Sequence, residues 1–178
     1  MISRGSESRL VLVLLTLSLP IYLTVVFMLG PLLAQLAWEF DTSVAITGQL
    51  ASATFLAWGV GAILTAPLSD SFGRRPVLLV ALFLTAALVA LSGIAWNYSS
   101  LLVLRVVTAL IASALPTTTM AAIIDLLPPE SRSRGLAIVS STIMLGLLLG
   151  VPAVSLVADT LGWRGPFFAI STALVIIM

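Results

Sequence analysis

The chain has 178 residues, 60% of them hydrophobic and only 8% charged, with a formal net charge of +1 and a mean hydropathy of +1.22. A soluble domain spends about a quarter of its residues on charge to clothe its core, so this composition excludes one. Cys, His and Lys do not occur, which excludes a disulfide framework, Cys- or His-ligated metal or haem, and a Ser–His hydrolase; the near-neutral balance gives no electrostatic reason to bind nucleic acid.

The apolar residues fall in continuous runs near 20 residues, the length at which a helix rising about 1.5 Å per residue crosses a bilayer. They lack the short alternating segments of a transmembrane β-barrel. The expected fold class is an all-α membrane protein with six transmembrane helices, and the lipid bilayer is its first partner.

In chain order, residues 1–9 are a polar lead with Arg4 and Arg9. The first span, 10–37, is too long for the apolar core of a signal peptide and has no small-residue cleavage site after it. Pro20 and Pro31 interrupt it, and Glu39 and Asp41 close it. The second span covers 43–66 and the third 76–95; residues 96–100, Trp-Asn-Tyr-Ser-Ser, read as a tight turn. The fourth, 101–124, is expected to bend at Pro116, with Thr117 and Thr118 placed to take up the freed carbonyls. The stretch 125–135 is the longest polar break, and the fifth span covers 136–158. The sixth opens near Arg164 and is still apolar at Met178, roughly a dozen residues later and short of a crossing. A truncated last helix, and a chain that continues, are therefore expected.

Arg4, Arg9, Arg74, Arg75, Arg132 and Arg134 fall on one side of these spans, and in the loops only Arg164 falls on the other. The positive-inside rule then places the N-terminus and the 2–3 and 4–5 loops in the cytoplasm; the protein is expected in the inner membrane. Trp38, Trp96, Tyr98 and Trp163 gather at the outer interface, as an aromatic belt would.

One stretch, APLSDSFGRRP at 66–76, recurs in outline. Asp70, Gly73 and Arg75 are echoed by Asp159, Gly162 and Arg164, and Gly61 by Gly150, always 89 positions on. The chain divides accordingly into three-span units, 10–95 and 96–178. Three spans are an odd number, so the second unit enters the membrane inverted, which is the architecture of secondary transporters; coincidence is the alternative, since Gly, Asp and Arg are common in short membrane turns.

The stretch resembles the loop between the second and third helices of the major facilitator superfamily: Asp70, Gly73, Arg74 and Arg75 match, while Ala66 and Ser71 replace a Gly and an Arg. Leu101-Leu102-Val103-Leu104-Arg105 resembles the start of that family's fourth-helix motif, with Thr108-Ala109 in place of its usual ending. Gly146-x-x-x-Gly150-Val151-Pro152, followed by Gly162-Trp163-Arg164-x-x-Phe167, resembles the fifth-helix region of efflux members, nearest the drug and sugar (arabinose-like) branches. The resemblance covers the first six of that family's twelve helices.

The resemblance implies that Asp70, Gly73, Arg74 and Arg75 form a conformational latch with Asp125, holding one side shut as two halves rock. Plain topogenic charge is the alternative. It also puts helices 1 and 4 at the substrate cavity. Arg105 is the one ionisable residue well inside a span, where charge is costly unless it faces a cavity or partner; snorkelling to the nearby outer end is the other reading. Thr108, Ala112 and Thr119 share its helical face and, with Tyr22, are the expected cavity lining. Gly146, Gly150 and Pro152 allow close packing and a bend in helix 5, which in efflux members meets the second half.

The function expected is membrane transport, not enzymatic catalysis: export of a small organic solute, drug or sugar, by alternating access, with no cofactor or metal. A second six-helix half, in a longer chain or another copy, would be the partner. A non-transporting fragment or interaction module, and a homodimeric half-transporter, are the alternatives. Antiport with protons needs an acid that sees both sides; helix 1 has none, so either a missing half carries it or coupling is of another kind.

Overall fold

The computed structural model describes residues 19–178, apart from the Leu126 side chain. The polar lead, Arg4 and Arg9, and the first part of the first span lie outside the described residues. All elements among the described residues are helices: α1 (Leu19–Glu39), α2 (Val44–Phe72), α3 (Arg74–Gly93), α4 in two pieces (Tyr98–Ala112 and Ala114–Leu126), α5 (Pro129–Leu161) and α6 (Arg164–Ile177). The first five are long and apolar enough to cross a membrane, and α6 is a shorter apolar helix.

The breaks have local causes. Pro31 has no N–H for the Phe27 carbonyl and crowds it, and α1 accordingly has a turn at Met28. Pro116 does the same to α4 at Ser113, again three residues upstream. There Thr117 donates to Ser113 O at 3.0 Å, whereas the Thr118 hydroxyl has no partner, so only one of the two expected threonines helps.

Several boundaries differ from the sequence expectation. α2 continues six residues past Ala66, through Pro67 to Phe72, and brings Asp70 into its last turn. α4 starts three residues early because Asn97 and Ser100 form a capping box, Asn97 Oδ1 accepting from Ser100 N at 2.7 Å. The supposed polar break at 125–135 shrinks to Leu127 and Pro128, since Pro129 opens α5 and Glu130 sits favourably in its first turn. Hydropathy marks the slab of lipid, while α5, at 33 residues, is about 50 Å long and outruns it.

Helix α1 is central. Its Tyr22, Val25, Leu29, Leu32 and Leu36 are buried at alternating three- and four-residue spacing and pack with Leu101 and Leu115 of α4 and Phe167 and Leu174 of α6. α2 lies on α4 and α1, α3 on α4 and α6, and α5 on α1 and α6. α2 and α5 bury only a narrow stripe each. Leu56, Ile63 and Phe72 of α2, and Leu148, Leu156 and Leu161 of α5, are all more than two-thirds exposed.

Candidate functional site

At one end of the bundle α2 passes to α3 through a single residue, Gly73. Its φ of +88° is a region where a Cβ is strained, so glycine suits the joint. The reversal brings the last turn of α2 against the first residue of α3. Arg74 Nη1 meets Asp70 Oδ1 at 2.5 Å and donates to Ser69 Oγ at 2.9 Å, while Nε donates to Asp125 Oδ2 at 3.1 Å. One guanidinium thus ties the ends of α2 and α4 to the start of α3. The two carboxylates are more than half exposed and the arginine is less than a third exposed. Arg75 is exposed and makes no ion pair among the described residues.

At the other end the α5–α6 joint is built alike. Gly162 has φ +71°, and it and Gly73 are the only positive-φ glycines among the described residues. Arg164, the first residue of α6, donates from Nη1 to Glu39 Oε1 at 2.9 Å. Its guanidinium carbon lies 4.3 Å from the ring centre of Trp163, which packs edge-on against Phe40 and Phe167. Trp163 is therefore interior, only 5% exposed, and not a member of the aromatic belt; Trp38 and Trp96, at 85% and 78% exposed, remain on the surface. Tyr98 donates to Ile46 O at 2.8 Å.

The residues expected to line a cavity, Tyr22, Arg105, Thr108, Ala112 and Thr119, are packed inside the six-helix unit, each at most 1% exposed. Arg105 turns inward and does not snorkel: Nη2 donates to Val25 O on α1 at 2.6 Å, Nη1 approaches Met28 Sδ at 3.8 Å, and the Phe167 ring centre is 6.0 Å from the guanidinium carbon. Its Nε has no partner, nor do the hydroxyls of Tyr22, Thr118 and Thr119, although Thr108 donates to Leu104 O. Trp58 on α2 also carries an unpartnered buried donor beside Tyr22. Neither Trp58 nor Thr118 stands out as a site residue in sequence, because an indole or a hydroxyl in a span is most often packing.

Gly146 and Gly150 face α1. A Cβ at Gly146 would strike Pro20, and one at Gly150 would strike Thr24, whose hydroxyl lies 3.4 Å from Gly146 O. These glycines therefore seat α5 on α1 within the six-helix unit. Pro152 lies on the exposed side of α5. On α2, Gly61 meets the Leu110 carbonyl and Ser113 of α4 in the same manner.

Residues 15–178 match the sequence profile of the Major Facilitator Superfamily. The chain is 32% identical over 162 residues to a chloramphenicol resistance protein of Streptomyces lividans, covering 86% of this chain and 41% of that protein. It is 33% identical over 152 residues to YfhI, an uncharacterized MFS-type transporter of Bacillus subtilis (strain 168), covering 82% and 36%. The solved structure of the proton:xylose symporter XylE bound to 6-bromo-6-deoxy-D-glucose matches 97% of this chain and 44% of its own, with a TM-score of 0.83 and 15% identity. That likeness is one of fold. The chain spans 36–41% of the length of the two sequence relatives.

Proposed function

The chain belongs to the major facilitator superfamily, a family of transporters and not of enzymes, and from that premise we propose that it is the N-terminal six-helix half of an exporter. Its cargo is a small organic solute, drug or sugar, moved by alternating access with a second six-helix half. The observation that carries this reading is the Arg74 network across the α2–α3 joint. Partly exposed ion pairs contribute about 0.2–1 kcal/mol each. Such a contact defines a closed state and still yields to the free energy of solute binding, as a two-state transporter requires.

Several observations support the rest. The two joints, and the Gly61 and Gly150 contacts, recur 89 positions apart, as two inverted three-helix repeats would place them. The unpartnered polar groups on α1 and α4 support a polar path between those helices, since each buried orphan group costs about 1–3 kcal/mol unless something binds it. The broad apolar faces of α2 and α5 suit a second half, in the same chain or in another copy, flanked by lipid. Export is the direction by which a transporter most directly confers resistance, and one relative is a chloramphenicol resistance protein. The arginines at the α2–α3 and α4–α5 ends support a cytoplasmic N-terminus in the inner membrane.

The test is accumulation of labelled chloramphenicol and a panel of small sugars and drugs in cells making the full-length protein. The wild type is expected to lower accumulation of at least one compound. Asp70→Asn is expected to restore the level of cells lacking the protein, at unchanged abundance in the membrane. Undiminished export by Asp70→Asn would remove the latch from the mechanism.

A further inference from the structure

Two ion contacts stand at opposite ends of the bundle and occupy similar, though not equivalent, places in the two three-helix units: by the 89-residue step Arg164 answers to Arg75, one residue beyond Arg74. Each follows a glycine at positive φ, Gly73 or Gly162. Each arginine, Arg74 or Arg164, opens the third helix of its unit, and each reaches an acid closing the first helix of the other unit, Asp125 on α4 or Glu39 on α1. The packing beneath them matches. Gly61 sits on Ser113 and Gly150 on Thr24, and both 61 to 150 and 24 to 113 are steps of 89 residues.

The charges are also placed against their helices. Asp70, Asp125 and Glu39 lie at helix C-termini, and Arg74 and Arg164 at helix N-termini, each the unfavourable end for its sign. None serves its own helix; each is offset only by its partner across the joint. The outer arginine is held in advance by stacking on the buried Trp163 ring, which Phe40 and Phe167 brace from the side. Beside the pair is a hollow of about 510 Å³ lined by Gln35, Trp38, Glu39, Leu161, Gly162 and Arg164 among others. The two ends differ in one respect. Asp159, at the position matching Asp70, makes no ion pair among the described residues, so the outer contact is single where the inner one is double.

We propose that Glu39 and Arg164 form a second latch, which holds the outer end of α1 on the α5–α6 joint and opposes the Asp70–Arg74–Asp125 network. This rests on the reading of the chain as inverted repeats of an alternating-access transporter. Both latches are engaged in this structure, so the side that opens next is set by which one releases first. Weakening the outer pair favours opening to the outside, and weakening the inner network favours opening to the cytoplasm.

These 178 residues contain no cysteine, so Gln35→Cys, with any cysteine elsewhere in the full-length protein replaced, places one thiol in the outer hollow. In intact cells making the full-length protein, a membrane-impermeant maleimide reads its exposure from outside. Adding Glu39→Gln or Arg164→Gln is expected to raise the labelling rate about 1.4- to five-fold, the range that loss of one partly exposed ion pair produces. The charge-swapped pair Glu39→Arg/Arg164→Glu is expected to return the rate toward the parent, and Asp70→Asn to slow it. Equal rates in both single variants, or a swap as fast as either, would reduce the pair to a solvated contact; a rate indifferent to Asp70 would reduce it to a local brace. Labelling only after the cells are permeabilised would overturn the orientation itself, and the latch with it.

Discussion

Arg105 is the one charged side chain fully buried among the described residues. A cation at the centre of a span costs about 2.5–3.5 kcal/mol on insertion scales, an upper bound for Arg105, which lies seven residues from the start of α4. Its short bond to Val25 O, as a hydrogen bond to a charged group, returns about 1.5–3 kcal/mol. The two nearly cancel, so Arg105 is not there to stabilise the fold. Arg105→Met fills much of the same volume without charge, and such replacements of buried ions are often neutral or stabilising. Arg105→Met is therefore expected to unfold in detergent at the same or a higher temperature than the parent, while losing most transport. A marked drop in unfolding temperature together with normal transport per molecule would make the arginine structural.

At the scale of the elements, glycine decides how closely α5 and α2 approach their neighbours. Gly150→Val would drive methyl groups into Thr24, and overpacking of this kind costs about 1–3 kcal/mol. Gly48, also helical, has open space around it, so Gly48→Ala is expected to stabilise by up to about 1 kcal/mol through the helix backbone. Thermal unfolding followed by tryptophan fluorescence should therefore move down for the first variant and up, or not at all, for the second. A parent-like unfolding temperature in Gly150→Val would mean that α5 is not seated on α1 as described.

The spans, their order and the family resemblance were legible because bilayer thickness leaves a long apolar signature in each run. Helix ends were not, wherever a helix leaves the lipid: residues 67–72 and 129–135 are helical although they lie outside the apolar runs, Pro129 in particular being suited to a first turn. Among the site residues, Asp70, Gly73 and Arg74 could be grouped because they are neighbours in a recognisable motif. Glu39 and Arg164 lie 125 residues apart, and no periodicity connects two ends of different helices. Likewise Trp163 reads as an interfacial aromatic until Phe40 and Phe167 close around it. The 89-residue step was visible in sequence, but its partners Thr24 and Ser113 became apparent only through contact.

At the scale of the whole molecule, the six helices form one packed unit with α1 at its centre and apolar side chains spread over α2 and α5. Lipid could cover those faces, so exposure alone does not require a protein partner. Alternating access does require one, because one packed unit has no second wall to close a path against. The most direct measurement is the protein mass of the transport-competent particle, by native mass spectrometry of the protein taken from its source membranes and shown to transport after reconstitution. The expected mass is at least about twice the 18.6 kDa of this chain, whether as one longer polypeptide or as two copies. A transport-competent particle carrying a single 18.6 kDa chain would contradict the two-half mechanism outright.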